Sequence, residues 1–402
     1  MHFSLTAEQH LIQASAQDWL LDNYSFRQRE ASIYRDGGAA IVWRAFAEMG
    51  WLGLPLAQAT GGFGGGPLEA GLLMQAFGRH LVVEPLRACV LQAARLLALT
   101  GTQQQQDRWL PGLIAGEHRL AFAHAEPGDT LPWQPRRTLT QRQTNGWRIN
   151  GRKLLVRGAV GAAQWLVSAR DPDRDENDLL FLVDPQQHGV RIDTYATTDG
   201  GSAADLIFDG VLLGSEALIG GPAGTAGMTP RLHQVIAESI IAHCWEATGA
   251  MQAVLEQTTA YTQQRQQFGQ TLANFQVVQH RLAEMAVYCA EAQAACELAA
   301  MRMVQEPAAG KLLAAMAKSK VGRAARFVAQ EAVQLHGAMG VCEVMPVAAT
   351  FRMLLAFAGE DGDPASHAAL LGSELLASGR FACSQTLREE VAPMTALQEE
   401  SV

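Results

Sequence analysis

The sequence has few charged residues, no surplus of basic residues and no long apolar run, and each shortage excludes a class of protein. Only 18% of its 402 residues are charged, and 40 acidic residues outnumber 31 basic ones, which gives a net charge of −9. No basic run with interleaved aromatic residues occurs, so we predict no nucleic-acid partner. No stretch of about 18 apolar residues is present, and the start, MHFSLTAEQHLIQ, lacks the apolar run of a signal peptide. These features predict a cytoplasmic protein that does not enter a membrane.

Cysteine pairs and metal-ligand spacings are also missing. The sequence has six cysteines, none in a CxxC arrangement: Cys89, Cys244, Cys289, Cys296, Cys342 and Cys383. Scattered cysteines of this kind are typical of buried, reduced thiols in a cytosolic protein. We therefore predict no disulfide framework and no metal site.

Hydrophobic periodicity divides the chain into three regions, and about half of its residues are apolar. Residues 1–118 repeat apolar residues at helical spacing, with Thr6 as an N-cap. Residues 119–228 change to short alternating runs separated by turn residues, and their spacing leaves no room for crossover helices. Residues 229–388 return to long helical patterns, and residues 389–402 read as a frayed tail. The predicted fold is mainly α: an N-terminal helical domain, a small antiparallel β-barrel and a C-terminal four-helix bundle.

One segment interrupts the C-terminal helical region. Residues 265–276 read RQQFGQTLANFQ and separate two long helical patterns. Arg265 at a helix end can satisfy the last carbonyls or offer a bidentate fork to a phosphate. Phe268 can join the core or present a flat face to a ligand, and Gln276 adds an amide where the next helix starts. Taken singly, these residues leave the structural and the binding interpretation open.

The whole string resembles the signature of the acyl-CoA dehydrogenase superfamily, in which one helix ends at R-x-x-F-G and the next begins with F-Q-x-x-Q-H-x-x-A-x-M. The resemblance implies FAD as the cofactor. Arg265 and Gln276 would bind its pyrophosphate and adenosine part, with Phe268 packing beside it. Within the superfamily, the pattern is most similar to the smaller subunits of pimeloyl-CoA-type and steroid side-chain dehydrogenases, which often pair with a larger, related subunit.

Two further strings extend the resemblance to other cofactor contacts. The run QLHGAMGVCEVMPV, beginning at Gln334, is similar to a family segment that meets the FAD of a neighbouring subunit. Gly337 would let backbone amides approach a phosphate, and Ala338 replaces a family glycine. In FAHAEPGD, Ala125 stands where the family usually has Thr, so contacts to the flavin ring are expected to be largely main-chain contacts. Arg157 replaces another Thr near the flavin, where it would favour an anionic reduced flavin or simply be solvated.

The family reaction needs a carboxylate over the substrate Cα, and the resemblance assigns it to Asp361. Here the E-G-T of the family becomes Asp361-Gly362-Asp363, so Asp363 is also expected to contact the cofactor. Asp is one methylene shorter than Glu, and nitroalkane oxidases of the same superfamily carry an Asp at this place. Glu360 is adjacent but is expected to point elsewhere.

Some family members place the base on the long helix before R-x-x-F-G. That position falls on Ser239, one residue after Glu238, and a one-residue offset turns a helical side chain by about 100°. Glu246 is a second helix carboxylate that could face the interior, although a lone Glu on an apolar helix is more often paired than catalytic. The sequence leaves three possibilities: Asp361, one of the two helix glutamates, or no competent base.

These assignments predict an FAD-dependent acyl-CoA dehydrogenase that desaturates an acyl-CoA thioester between Cα and Cβ. The resemblance implies that the electrons pass to an electron-transfer flavoprotein. It also implies a homo- or heterotetramer with a related larger subunit. Two alternatives stay open: a catalytically silent subunit that completes the FAD site of a partner, and a nitroalkane-oxidase-like flavoprotein oxidase.

Overall fold

A computed structural model describes residues 4–33, 40–173, 178–221 and 227–378. The predicted tail, residues 389–402, and Cys383 lie outside the described residues. Within them, no helix is long and apolar enough to cross a membrane. Four of the five described cysteines are buried, and all five are free thiols. Burial raises the pKa of the Cys89 and Cys244 thiols to about 12, so both stay protonated.

The N-terminal region is helical, as predicted. Thr6 caps the first helix by accepting a hydrogen bond from the backbone N–H of Gln9, whose side chain bonds back to the Thr6 backbone. A π-helical segment, Arg87–Ala94, runs directly into the fifth helix. The helices are α1 (Ala7–Asn23), α2 (Phe26–Ile33), α3 (Ala40–Glu48), α4 (Pro67–His80), α5 (Arg95–Thr100) and α6 (Gln103–Ile114).

A curled seven-stranded sheet occupies the middle of the chain. Its strands are β1 (Leu120–Ala123), β2 (Leu139–Gln143), β3 (Gly146–Arg157), β4 (Gln164–Arg170), β5 (Asp178–Val183), β6 (Val190–Ala196) and β7 (Ser202–Gly214). Their order is β1-β4-β2-β3-β7-β6, with β5 on β4. Most pairs are antiparallel, but β1 and β2 each run parallel to β4, which makes the sheet mixed rather than purely antiparallel. The loop between β1 and β2 allows this return without a crossover helix.

Five α-helices and a short hairpin form the described part of the C-terminal region, up to residue 378. The helices are α7 (Met228–Gln264), α8 (Gln276–Gln305), α9 (Gly310–His336), α10 (Pro346–Gly359) and α11 (Pro364–Ser378). The hairpin of β8 (Gln266–Gln267) and β9 (Gln270–Thr271) lies between α7 and α8. The predicted order of helices, sheet and helical bundle is therefore confirmed, while the exact domain boundaries stay predictions.

Helix α7 joins the two helical regions because α4 packs tightly against it. A Cβ on Gly78 would lie 1.8 Å from the backbone oxygen of Glu246, and one on Gly249 would lie 2.0 Å from that of Gln75. Glycine at both crossing points lets the backbones approach. The continuous core that results fixes the position of α7 relative to the sheet and to the π-helical segment.

Candidate functional site

A cleft of about 260 Å³ lies where the sheet, the π-helical segment and the end of α10 meet. This volume is near the lower end of small-molecule sites, roughly 300 Å³. The chain segments that line it include the end of β1 and its following loop, the end of β3, and the loop after α10. Its lining includes Ala125 and Asp361, two of the residues predicted from the sequence.

Asp361 reaches the cleft because the chain reverses direction after α10. Asp361 itself has a φ of 58° and Gly362 a φ of 96°, both in the left-handed region. A Cβ on Gly362 would lie within 2.9 Å of the Thr130 backbone oxygen, so the loop packs directly against the segment after β1. The ring of His367 supports the turn through Nε2, which lies 2.9 Å from the Asp361 backbone oxygen.

Arg87, in the π-helical segment, connects both positions where the family can carry its base. Its guanidinium donates hydrogen bonds to Asp361 Oδ2 at 2.8 Å and to Ser239 Oγ at 3.3 Å, and it also donates to Glu360. Burial alone would raise the pKa of Asp361, but the charge of Arg87 and the contact with His243 hold it well below its usual range. Asp361 is therefore an ionised carboxylate. It can accept a proton, but its ion pair with Arg87 makes protonation unfavourable. Arg87 was not predicted from the sequence, although a single Arg within the mostly apolar run PLRACVLQAA was a usable signal.

The expectation for Glu360 was wrong, and one of the two alternatives for Arg157 is excluded. Glu360 does not point elsewhere: it lines the same cleft and bonds Arg157 Nε through Oε2 at 2.9 Å, because the reversal at Asp361 turns both side chains inward. Arg157 is not solvated, since a second carboxylate, Asp199, lies 2.8 Å from its guanidinium. With two acidic partners, Arg157 contributes little net positive charge to the cleft.

The two helix glutamates face away from the cleft. Glu238 lies 3.1 Å from Arg95 Nε, accepts a hydrogen bond from Gln234, and lines a separate small cavity. Glu246 lines a second cavity on the far side of Arg87. Burial raises the pKa of Glu246 to about 7, although the charges of Arg87 and Arg157 oppose the shift.

Three side chains near Arg87 have the spacing of a metal site. His243, Glu360 and Asp361 bring one ligand atom each within 4.8 Å of one another. Arg87 donates to both carboxylates, so a cation already occupies the position a metal ion would take. The arrangement is an ion-pair network.

A buried ion pair holds the strand that carries Ala125. Lys153 Nζ lies 2.6 Å from Glu126 Oε1 and also donates to the backbone oxygen of His124 and to Ser168 Oγ. Ala125 itself is joined to β3, because its backbone oxygen accepts a hydrogen bond from Leu154 N at 2.8 Å. The edge of the cleft is thus rigid on both sides of Ala125.

Apart from Asp363, the other predicted cofactor residues lie at one end of the helical bundle and do not line the cleft. Arg265 is the C-cap of α7 and is exposed, and the exposed Gln276 begins α8. Phe268 is 90% exposed and has a φ of 53°, so its ring does not join the core of this chain, and its contact with the cofactor stays a prediction. Its ring meets that of Phe275 edge-on, with 6.2 Å between centroids.

The end of α9 lies beside the end of α7. Tyr261 stacks on His336 with ring centroids 4.4 Å apart, and this contact brings the Arg265 turn close to the Gly337 turn. Gln334, Gly337 and Ala338 are exposed there. Gly337 has a φ of 59°, and no atom lies within 4 Å of the place where its Cβ would be.

Asp363 serves the fold in a way that the sequence did not predict. Its Oδ1 accepts hydrogen bonds from the backbone N–H groups of Ala365 and Ser366, both at 2.8 Å, and so caps the start of α11. These bonds, with that from Ser366 N the largest influence, lower the pKa of Asp363. Its predicted contact with the cofactor stays a prediction.

Both sets of residues fit parts of FAD. The cleft offers main-chain atoms and apolar walls to a flat ring, and the bundle end offers groups suited to phosphates. Helix α8 begins without a side-chain cap, which leaves its first N–H groups available to an anion, with the Arg265 guanidinium nearby in the chain. Because the bundle-end residues do not line the cleft, they and the cleft form two separate sets of contacts.

Comparison with known proteins agrees with this geometry. Residues 6–117 match the model described as acyl-CoA dehydrogenase, N-terminal domain, and residues 229–376 match acyl-CoA dehydrogenase, C-terminal domain. The chain is 28% identical over 334 residues to acyl-CoA dehydrogenase FadE28 of Mycobacterium tuberculosis, covering 83% of this chain and 92% of that protein. It is 25% identical over 316 residues to the caffeyl-CoA reductase-Etf complex subunit CarC of Acetobacterium woodii, covering 76% of this chain and 82% of that protein.

A solved structure gives the same result for the fold. A variant of the Tcur3481-Tcur3483 steroid ACAD superposes with a TM-score of 0.82 and 30% identity, covering 92% of this chain and 98% of that one. The two matched sequence models and the overall fold therefore indicate the same family. The chain belongs to the acyl-CoA dehydrogenase family, whose cofactor is FAD.

Proposed function

We propose that the protein is an FAD-dependent acyl-CoA dehydrogenase that removes the α-proton of an acyl-CoA thioester through Asp361. The observation that carries the proposal is the ionised Asp361 carboxylate on the wall of the cleft, on the loop that faces Ala125. FAD, when bound, supplies the acceptor for the β-hydride. We further propose that its electrons leave to an electron-transfer flavoprotein, which the similarity to a subunit of a caffeyl-CoA reductase-Etf complex supports.

The pairing of Asp361 with Arg87 sets the condition for its action as a base. A general base works best when its pKa lies near the working pH, and the ion pair holds the pKa of Asp361 far below that. Arg87 has two other acceptors, Glu360 and Ser239, so it stays bonded when Asp361 leaves it. We propose that the bound thioester displaces Asp361 from Arg87, and that loss of the ion pair in a cleft emptied of water raises the pKa of Asp361.

The bundle-end residues would serve the phosphates of FAD. Arg265 would donate a bidentate pair of hydrogen bonds to the pyrophosphate, with Gln276 and the backbone around Gly337 beside it. Because these groups do not line the cleft, we propose that they meet an FAD whose ring lies in another chain. That arrangement requires an oligomer, either of this chain or with a related larger subunit.

Anaerobic titration tests the proposed reaction. The purified protein is mixed with short, long, dicarboxylic and steroidal acyl-CoAs while the flavin absorbance is followed. We expect at least one acyl-CoA to bleach the flavin of the wild type, and Asp361→Asn to lose bleaching while it keeps its FAD. Asp193→Asn makes the same chemical change on the exposed strand β6 and is the matched control.

Retained bleaching in Asp361→Asn would exclude this residue as the base. Bleaching by no acyl-CoA in the panel would count against the dehydrogenase. Peroxide formed in air without another electron acceptor would point to the nitroalkane-oxidase-like oxidase instead, and nitroalkanes would then be added as substrates.

A second candidate is a subunit that completes the FAD site of a partner without turning over substrate. The ion pair that stabilises Asp361 against protonation favours this interpretation, as does the separation of the phosphate-binding groups from the cleft. A colourless protein that becomes yellow only when co-expressed with a larger related subunit would support it. In that complex, Arg265→Ala in this chain should release flavin, whereas Asp361→Asn should leave turnover unchanged.

A further inference from the structure

A second cavity, of about 80 Å³, lies behind the catalytic cleft. The two cavities share Arg87 and Arg157, whose guanidinium groups both bind Glu360 and form the wall between the cavities. The second cavity extends to the loop at residues 199–202. Its other charged or titratable lining residues are Arg29, Glu84, Asp199, His243 and Glu246.

His243, on α7, spans this wall. Its ring Nδ1 lies 3.9 Å from Asp361 Oδ2, on the cleft side, and its Nε2 lies 4.0 Å from Glu246 Oε2, on the side of the second cavity. Nδ1 is buried and has no hydrogen-bond partner within the described ranges 4–33, 40–173, 178–221 and 227–378. The edge of the ring packs on Phe357, with centroids 4.7 Å apart, which holds the imidazole between the two carboxylates.

The charges around these groups suit proton transfer. Burial and then the charge of Arg87 lower the pKa of His243 to about 4, so the ring is neutral and has one N–H and one free lone pair. The pKa of Glu246, about 7, lets it take up and release a proton near neutral pH. The charged groups that influence His243 or Glu246 from other elements are Arg87, Arg157, Asp199, Lys318, Glu360 and Asp361.

We propose that His243 and Glu246 form a proton relay that carries the substrate's α-proton from Asp361 into the second cavity; this inference rests on the proposed function. The Cα–H bond breaks, and its proton bonds to Asp361. The new O–H gives its proton to Nδ1 of His243 while Nε2–H gives its own to Glu246, which releases it to water. No electrons change hands in the relay. Proton exchange with water, which takes the Nδ1 proton and returns one to Nε2, restores the starting tautomer.

Arg87 controls when the relay is connected. Its guanidinium donates to Oδ2 of Asp361, the same oxygen that faces His243. The distances from Nδ1 to Asp361 Oδ2 and from Nε2 to Glu246 Oε2 are both about 1 Å longer than a hydrogen bond. The relay is therefore interrupted while Arg87 binds Asp361 Oδ2. When substrate displaces Asp361 from Arg87, Oδ2 is free to approach Nδ1.

The test separates proton abstraction from proton release. The variants are His243→Gln and Glu246→Gln. Their matched controls on the same helix are His233→Gln and Glu256→Gln, whose side chains contact Trp133 and Arg79 instead. The probe is the acyl-CoA that bleaches the wild type most strongly. Flavin bleaching in a single turnover reports abstraction of the α-proton. Release of the proton is reported by the loss of α-protons to D2O, which is measured by mass spectrometry under anaerobic conditions.

We expect both relay variants to slow α-proton loss to solvent by about 100-fold, a usual size for removing one proton-transfer group. Single-turnover bleaching should be unchanged in Glu246→Gln, because Glu246 does not line the cleft. The control variants should match the wild type. In the wild type, α-proton loss should rise with pH through about 7, because Glu246 must be ionised to accept the proton. In the apoprotein, infrared difference spectra should show a buried carboxyl titrating near pH 7, and Glu246→Gln should remove that signal.

Three results would overturn the relay, and they are distinguishable. Unchanged α-proton loss in folded His243→Gln and Glu246→Gln, with normal bleaching, would overturn the relay alone. If the variants fail to fold, a rate of α-proton loss in the wild type that does not change with pH would overturn the relay alone. Absence of bleaching by any acyl-CoA in the wild type would overturn the proposed function and the relay with it.

Discussion

Replacing Lys153 by Met should destabilise the protein strongly and weaken its hold on FAD. Lys153 is 0% exposed, and its ammonium group is the cationic partner of the Glu126 carboxylate at 2.6 Å. Met has a similar length, so the substitution removes the charge while filling most of the space. It leaves a buried carboxylate without its counter-charge, beside the strand end that carries Ala125 into the cleft.

The size of the effect follows from the pKa of Glu126. Burial alone would raise this pKa, but the charge of Lys153, with hydrogen bonds from Lys153 and Thr138, lowers it from 4.5 to about 2. A shift of this size corresponds to roughly 3 kcal/mol of stability at neutral pH, which the burial of Lys153, whose own pKa falls to about 8, offsets in part. Because the folded pKa is depressed, this stability is fully present above pH 4.5 and is lost as the pH falls toward 2. Breaking a buried pair from one side costs about 3–5 kcal/mol, which agrees with that figure.

Urea unfolding followed by tryptophan fluorescence at several pH values measures the change, and the buried Trp165 reports on the sheet. At pH 7, Lys153→Met should lose about 3 kcal/mol of unfolding free energy. Between pH 4.5 and 2, its stability should fall less steeply than that of the wild type. The double variant Lys153→Met/Glu126→Gln should recover part of the loss, because no charge is left buried. A single variant within about 1 kcal/mol of the wild type at pH 7 would refute the reasoning.

Three further predictions concern other elements. Gly78→Ala forces a Cβ against the α7 backbone and should lower the melting temperature by several degrees or prevent folding, whereas Gly372→Ala, with nothing within 4 Å, should be neutral or stabilising by calorimetry. Arg265→Ala should weaken FAD binding about tenfold in a fluorescence titration without changing the melting temperature, and Arg148→Ala, an exposed control on β3, should change neither. Arg87→Gln removes the cation that lowers the pKa of Asp361, so the ascending limb of the pH profile of kcat/KM, which reports the free enzyme, should move to higher pH; an unmoved limb would mean that Arg87 does not set the pKa of the base in the free enzyme.

The sequence predicted the fold because its signals are local. The stop at Arg265 is an example: α7 ends at Gln264, and Phe268 and Gly269 both take a positive φ, as a turn after R-x-x-F-G requires. The parallel pairing of β1 with β4 was not predictable in this way. It depends on where the long loop after β1 returns, and no alternation of residues within either strand encodes that.

The candidate site was predicted in part, for the same reason. Asp361 and Ala125 could be located by matching short strings, and both line one cleft. The network around them could not, because Arg87 is 274 positions from Asp361 in the chain and meets it only through packing. His243 was not predicted from the sequence, because it lies in a mostly apolar helix. The spacing of His243 and Glu246, three apart and therefore on one helical face, was the signal that could have connected them.

The charge balance of the network bears on the question that the sequence left open, namely whether this chain has its own base. Arg87 and Arg157 face Glu360, Asp361 and Asp199 in a largely buried cluster, and the buried Lys318 adds a third cation near Asp361 and Glu360. Three cations therefore face three anions, and what distinguishes the carboxylates is the number of their partners. Asp361 is the member best placed to take up a proton: Glu360 binds both arginines, whereas Asp361 binds Arg87 alone and opens onto the cleft. A carboxylate that has a single arginine to leave, and that faces the cleft, favours a working base in this chain.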